Sequence, residues 1–149
     1  MTAKGSAVGD EAQIRAVIDE WADGVRTKNV DRCMASHAQE ILLFDLPPPL
    51  QYTGAQAYRK GLEGWFASFE GPIGYDTRDL QISVGENVAF CHSLSRIRGK
   101  RTNGEKTDVW IRNTVGFLKI NGKWLVTHEH ASVPFYMDGS YKAAVDLQP

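Results

Sequence analysis

The sequence predicts an α+β domain in which three helices come first and an antiparallel β-sheet follows. In the first half of the chain, apolar residues recur every three or four positions, which is the spacing of one helix face. From Ile73 onward, long alternating runs are separated by turns that contain Gly or Asn. Helices that are grouped before the strands favour an α+β fold over a parallel α/β sheet.

The composition indicates one domain without a nucleic-acid or membrane partner. The chain has 149 residues, with 17 basic and 18 acidic side chains and a net charge of -1, so no excess of positive charge would attract a polyanion. No apolar run approaches the ~18 residues of a membrane span, and residues 1–9 lack the apolar segment of a secretion signal. Cys33 and Cys91 have no metal-type spacing and are expected to be reduced thiols in a cytoplasmic protein.

The predicted domain covers residues 10–135, between a disordered N-terminus at 1–9 and a C-terminal tail at 136–149. The first helix is capped by Gly9 or Asp10, and a short second helix continues to His37, which either ends that helix or points into a cavity. The third helix follows Gly54. The apolar stripes of the first and third helices are Ile14, Val17, Ile18, Trp21 and Val25, and Tyr58, Leu62, Trp65, Phe66 and Phe69.

A short buried strand and four long ones are expected after the first two helices. The short strand, 41–44, leads into Asp45 and then into three prolines, which fix an extended loop and leave Asp45 at a rigid edge. Asp45 is therefore a candidate catalytic carboxylate or a turn residue that bonds to nearby backbone. The long strands are predicted at 74–84, 87–100, 106–120 and 123–132.

Alternation along the last strand predicts a polar pocket wall. It places Trp124, Val126, His128, His130 and Ser132 on one face, and Leu125, Thr127, Glu129 and Ala131 on the other. If the neighbouring strands are in register, six polar or aromatic side chains meet on the same concave wall, unless a one-residue bulge sends half of them to the other face. These six are His92, Trp110, Arg112, Thr114, His128 and His130. The alternative is that the histidines lie at a rim or an interface.

The strand at 106–120 carries bulky side chains on both faces. Val109, Ile111 and Val115 occupy one face, while Trp110 and Leu118 occupy the other. Because helices can cover only one face of the sheet, a partner subunit is expected to cover the second. The sequence therefore predicts a homodimer formed through the convex sheet face.

Taken together, these motifs resemble the nuclear transport factor 2-like (NTF2-like) superfamily, in its ketosteroid isomerase-like and polyketide cyclase (SnoaL-like) branch. The resemblance covers about residues 10–135. It rests on the first helix pair, on Phe44-Asp45 with the prolines after it, on Gly54…Tyr58…Trp65, on Trp110-x-Arg112-x-Thr114, and on Gly122-Lys123-Trp124…His128-x-His130-x-Ser132-x-Pro134. The last strand also resembles the association domain of calcium/calmodulin-dependent kinases, a non-catalytic hub.

The resemblance implies a cone-shaped, curved antiparallel sheet wrapped around three helices, with a cavity between them. It also implies a general base near the end of the first strand, a position that Asp45 matches. The isomerase's helix-borne Tyr has no counterpart in the first helix, where Trp21 is the only ring.

Three functions follow as hypotheses. The first is proton transfer on a small hydrophobic carbonyl compound, with Asp45 or His130 as base and Arg112, Trp110 or His92 opposite the developing oxyanion. Thr114, His128, Trp65 and Phe90 would complete the substrate site, and no metal or organic cofactor would be needed. The second is non-catalytic binding of an apolar or carboxylate-bearing ligand anchored by Arg112, or a hub role. The third is a metal site at His128 and His130 with His92 or Asp45.

Overall fold

The computed structural model describes residues 3–149, with side chains from Val8 onward. It contains three helices and six strands. The helices are α1 Ala3–Thr27, α2 Val30–Met34 and α3 Ala55–Ala67, and the strands are β1 His37–Phe44, β2 Tyr52–Thr53, β3 Phe69–Val84, β4 Val88–Arg101, β5 Lys106–Ile120 and β6 Lys123–Ser132. The predicted α+β architecture with helices on one side of a curved sheet is confirmed.

The sheet is open and mixed, which corrects the prediction of a purely antiparallel sheet. Its strand order is β2-β1-β6-β5-β4-β3, and β1 runs parallel to β6 while every other neighbouring pair is antiparallel. The parallel pair arises because β1 and β6 are joined through most of the chain and not by a hairpin.

Helix α1 lies against the sheet through the predicted stripe, in which Ile14 and Val25 are completely buried. It begins at Ala3, so Asp10 is inside the helix and does not cap it. The buried Asp10 carboxylate instead accepts hydrogen bonds from Lys119 Nζ and Trp124 Nε1, each at 3.0 Å, which ties α1 to β5 and β6. Residues 1–2 of the predicted disordered segment lie outside the described range.

Helix α2 is shorter than predicted. The side chain of its N-cap, Asn29, accepts a hydrogen bond from the backbone N–H of Arg32 at 3.1 Å, and the helix ends at Met34, three residues before His37. His37 therefore opens β1 and does not end a helix. Where α2 meets α1, a Cβ built on Gly24 would lie 2.7 Å from Cys33 Sγ, so the close approach of the two helices requires glycine there.

A β-bulge in β6 determines which side chains face the helices. Gly116 pairs with His128, but the next residue of β5, Phe117, pairs with Val126, so Thr127 is one extra residue in β6. Val126 and Glu129 consequently lie on the same face, which we call the inner face because α1 and α3 cover it. The opposite, outer face carries His128 and His130.

Helix α3 begins after Gly54, whose φ of 95° is a conformation that favours glycine, and it buries Tyr58, Leu62 and Phe66. Phe69 begins β3 and does not extend the helix as predicted. Beyond β6, an isolated bridge pairs Phe135 with Ala143 in the predicted C-terminal tail. No helix in the described part of the chain is both long enough and apolar enough to cross a membrane.

Candidate functional site

A cavity of about 170 Å³ lies between α1, α3 and the inner face of the sheet. Most of its lining is apolar and comes from Val17, Ile18, Leu43, Leu62, Ile111 and Phe117, among others. By the space that one buried water needs, the cavity holds roughly a dozen water-sized positions, enough for a compact organic molecule of one or two rings. A mostly apolar cavity with a few converging polar groups is the usual form of a small-molecule site.

Asp45 lies in the lining just after β1 and is exposed to solvent. The backbone N–H of Leu46 donates to its Oδ1 at 2.7 Å. Burial by the surrounding protein raises the pKa of the Asp45 carboxyl, the Leu46 hydrogen bond opposes this, and the negative charge of Glu129 raises the pKa further. Asp45 is thus a carboxylate whose proton affinity is increased by its position in the cavity.

Glu129 forms the centre of a polar group inside the cavity, and its side chain is only 15 % exposed. Its Oε1 lies 2.7 Å from His37 Nε2, and its Oε2 accepts a hydrogen bond from the Tyr58 hydroxyl at 2.7 Å. Trp21 Nε1 donates to the same Tyr58 oxygen at 3.0 Å. Because an indole N–H can only donate, the Tyr58 hydroxyl must direct its own hydrogen to Glu129. Burial and the Glu129 charge raise the pKa of Tyr58 well above its ordinary value.

His37, a member of this group, has one ring nitrogen without a hydrogen-bond partner in the described part of the chain. Its side chain is 1 % exposed, and its Nδ1 has no partner among the described residues. Since an ionised Glu129 can only accept, His37 Nε2 carries the hydrogen of their bond, and in the neutral ring Nδ1 is then an acceptor. A buried acceptor without a donor costs about 1–3 kcal/mol, and since Nδ1 is closed off by its surroundings, the rest of the fold has to offset this cost.

A second polar group lies on β3, β4 and β5. The Tyr75 hydroxyl donates to Ser95 Oγ at 3.0 Å, and Asn113 Nδ2 donates to Tyr75 Oη at 3.1 Å and to Ser95 Oγ at 2.8 Å. Burial raises the pKa of Tyr75 to about 12, so its hydroxyl is neutral in the physiological range. Together the two groups form what we call the polar floor: Glu129, His37, Tyr58, Tyr75, Ser95 and Asn113.

The predicted site residues divide between the two faces. Asp45 and Trp65 are among the residues that line the cavity, whereas Thr114 borders it but pairs with His130 and His92, so its exposed side chain lies on the outer face. The other six do not line it, and the prediction that they share its wall is wrong: Phe90, His92, Trp110, Arg112, His128 and His130. The bulge at Thr127 explains this for β6, because it turns His128 and His130 away from the cavity. The residues of β5 and β4 that pair with them lie on the same outer face.

On the outer face, these residues contact one another and the protein surface. Arg112 Nε donates to Ser132 Oγ at 3.2 Å, and His128 Nδ1 donates to the Leu42 carbonyl oxygen at 2.7 Å. The ring centroids of His128 and His130 are 6.5 Å apart, and both rings contact Phe44. No cluster of three or more His, Cys, Asp or Glu side chains suited to a metal ion occurs within the described residues.

Sequence reasoning missed Glu129 and Tyr58 as members of this polar group, and it kept a cavity position of His37 only as an alternative to a helix end. It placed Glu129 opposite the histidines, which is correct, but it assigned the histidines' face to the cavity. The sequence carries no signal for this face, because Glu129 is in register with Val115 of the apolar β5 series only through the bulge at Thr127. A lone acid on an apolar inner face must either pair or act chemically.

Comparison with known proteins agrees with this fold. A family model described as a SnoaL-like domain matches residues 14–136. An NTF2-like protein of unknown function from Pseudomonas putida KT2440 is 32% identical, with a TM-score of 0.86 over 95% of this chain and 98% of that one. No protein of curated function matches the chain.

Two more distant structures share the fold alone. One is a Shewanella frigidimarina protein provisionally assigned as a ketosteroid isomerase (19% identity, TM-score 0.68, 78% of this chain and 92% of that one). The other is the association domain of CaMKII from C. elegans (16% identity, TM-score 0.67, 85% and 98%).

The fold and the cavity thus define a protein with an α+β cone whose helices and sheet enclose a small-molecule-sized pocket. The chain belongs to the SnoaL-like family within the NTF2-like superfamily.

Proposed function

We propose that this protein transfers a proton to or from a small, hydrophobic carbonyl compound bound in the cavity, with Asp45 as the acid–base group. The observation that supports this most directly is the position of Asp45. It lies in the lining of an otherwise apolar cavity, where burial and Glu129 raise its pKa. A carboxyl group whose pKa moves toward neutrality is better suited to both accept and release a proton near pH 7.

The polar floor supports a division of labour between the two carboxyl groups. Glu129 is held by the Tyr58 hydroxyl and by His37, so both of its oxygens already take part in hydrogen bonds. From the described residues, Asp45 accepts a single hydrogen bond, from the Leu46 backbone at Oδ1. Its Oδ2 is therefore the carboxylate oxygen best able to receive a substrate proton, while Glu129 orients His37 and Tyr58.

The test is hydrogen–deuterium exchange of 2-tetralone, whose C–H groups next to the carbonyl exchange through the enol. Proton NMR in D₂O would measure the exchange rate above the buffer background. Asp45→Asn is expected to reduce the protein-dependent rate by about 10²-fold or more, because the isosteric amide cannot accept the proton. The matched control is Asp31→Asn, which alters an exposed aspartate that pairs with Arg59.

An Asp45→Asn protein that exchanges 2-tetralone as fast as the wild type would refute the role of Asp45. The variants Arg112→Gln and His130→Ala test the sequence-based assignment directly. Since both side chains lie on the outer face, neither change is expected to slow exchange. A loss of rate in either variant would restore the original assignment of that residue.

A second candidate function is a ligand-binding or hub role within a homodimer. The outer face carries exposed apolar side chains, with Val88 60%, Phe90 48%, Leu118 39% and Ile120 40% exposed, and a second copy would cover them. The association domain among the structural neighbours favours this reading. A cytoplasmic location also stays a prediction, supported by two buried, free cysteines, Cys33 and Cys91.

A further inference from the structure

We infer that the cavity selects an uncharged ligand that presents a hydroxyl group to the polar floor, and that it rejects carboxylates and other anions. This inference rests on the proposed small-molecule site and specifies its ligand class. It follows from the charges and from the hydrogen-bonding capacity of the lining.

The charge argument concerns the side chains that line the cavity. Among the described residues, this lining contains Asp45 and Glu129 but no Lys or Arg. Arg112, the cation that the sequence suggested as an anchor for a carboxylate, lies on the outer face with its Nε on Ser132. An anionic ligand would therefore lose its hydration beside two carboxyl groups without gaining a counter-charge.

The hydrogen-bond argument concerns the polar floor. Its strongest donors are already used within the protein: the Tyr58 hydroxyl binds Glu129, the Tyr75 hydroxyl binds Ser95, and the Asn113 amide N–H groups bind Tyr75 and Ser95. Its acceptors are not all used, since Asn113 Oδ1, in the cavity lining, receives no hydrogen bond from the described residues. A ligand that supplies an O–H therefore fits this surface better than one that offers only acceptor oxygens.

Neutral donors elsewhere in the lining do not reverse this preference. The Ser93 and Thr77 hydroxyls can either donate or accept, and the Trp65 indole N–H can donate, but none of the three carries charge. They can orient a neutral ligand without compensating an anionic one. The enol form of a ketone also carries the preferred O–H, which is consistent with the proton transfer proposed above.

The experiment uses three ligands with one skeleton: 2-naphthol, 2-methoxynaphthalene and 2-naphthoate. Isothermal titration calorimetry at neutral pH measures their affinities for the full-length protein. We expect 2-naphthol to bind about fivefold or more tightly than 2-methoxynaphthalene, because the ether has no hydrogen to donate. We expect 2-naphthoate to bind at least about tenfold more weakly than 2-naphthol, because it is an anion beside carboxylates.

Two variants assign the discrimination to named groups. Asp45→Asn removes one negative charge at nearly constant shape, so the penalty against 2-naphthoate is expected to shrink by about threefold or more. Asp31→Asn, at the exposed surface, is expected to leave it unchanged.

The inference would be overturned if 2-naphthoate bound as tightly as 2-naphthol, if the ether matched the alcohol, or if none of the three bound. These results are separable from the proposed chemistry. Preferred binding of 2-naphthol together with failed exchange of 2-tetralone would refute proton transfer and leave the ligand class standing. Tight binding of 2-naphthoate together with Asp45-dependent exchange would refute the ligand class and leave proton transfer standing.

Discussion

At the scale of single residues, the cavity is defined by how its few polar side chains satisfy one another. Tyr58 is the clearest case, since it donates to Glu129 and accepts from Trp21 within the same buried space. Each such residue stabilises the fold and shapes the site at once. Stability and ligand binding can therefore be measured on the same variants.

Tyr58→Phe is expected to lower the free energy of unfolding by about 1–3 kcal/mol, because it leaves the Trp21 N–H without its acceptor and Glu129 with one donor fewer. Chemical denaturation of the purified variant measures the change. Tyr136→Phe is the matched control, since that hydroxyl bonds to Asp146 at 2.6 Å on the exposed surface. A loss as large in Tyr136→Phe as in Tyr58→Phe would contradict the argument from burial.

The raised pKa of Asp45 predicts a pH dependence of stability. Folding favours its protonated form, so the associated stability is fully present below the ordinary pKa of 3.8 and is lost as pH rises through the higher value in the folded state. Asp45→Asn lacks this loss. The variant should therefore gain stability relative to the wild type as the pH is raised across this window, as thermal unfolding over a pH series would show.

Asp108 provides a control of opposite sign for the pH series. The hydrogen bond from Arg96 lowers the pKa of its carboxyl, so its ionised form is favoured by folding. Asp108→Asn should lose stability relative to the wild type as the pH rises. If the stability of both variants relative to the wild type changed with pH in the same direction, the Asp45 environment would not favour the protonated form of this carboxyl.

At the scale of the elements, close contacts between helices fix the position of the cavity walls. Gly24 lets α1 approach α2, because any side chain there would collide with Cys33. α1 in turn carries Val17, Ile18 and Trp21 into the cavity. The packing of the five-residue helix α2 thus affects the site indirectly.

Gly24→Ala is expected to destabilise the protein by about 1–3 kcal/mol, because the added methyl overlaps Cys33 Sγ and its backbone nitrogen. Gly64→Ala is the matched control in α3, where nothing lies within 4 Å of the added carbon. That change should stabilise the helix by about 0.5–1 kcal/mol. Denaturant titration of both variants gives the comparison, and destabilisation of similar size at both positions would argue against a specific contact at Gly24.

At the scale of the whole molecule, the sheet has two faces with different roles. The inner face and the helices enclose the cavity, while the outer face exposes apolar side chains around the Val88 and Leu118 pair. The proposed homodimer would bury this second face. The dimer and the cavity would then lie on opposite sides of one sheet.

Leu118→Arg should convert the proposed dimer to a monomer, because a charge is placed at the centre of an apolar contact. Light scattering coupled to size-exclusion chromatography measures the mass in solution. Met137→Arg, an exposed apolar position outside the sheet, serves as control and should leave the mass unchanged. A monomeric wild-type protein, or a Leu118→Arg protein that still dimerises, would refute the proposed interface.

The fold was largely predictable from the sequence, whereas the site was predictable only in part. Turn signals such as Asn121-Gly122 and the alternation along 106–120 and 123–132 gave strands with the observed bounds. Asp45 and Trp65 lie in the cavity lining, and their roles in the site stay predictions. The inner face could not be chosen reliably, because β5 carries bulky residues on both faces. No local signal in 123–132 marks the bulge at Thr127, which depends on pairing with β5.

Because Thr127 is an extra residue, the ten residues of β6 can present either of two sets of side chains to the cavity. With the bulge, this strand presents the Glu129 carboxyl to the cavity. If Thr127 paired regularly and the bulge were absent, the same strand would present the imidazoles of His128 and His130. Deletion of Thr127 would keep Glu129 on the inner face, because regular alternation would then place it there without a bulge. In this scaffold, the pairing of a single residue, bulged or regular, therefore decides which side chains of the strand face the cavity.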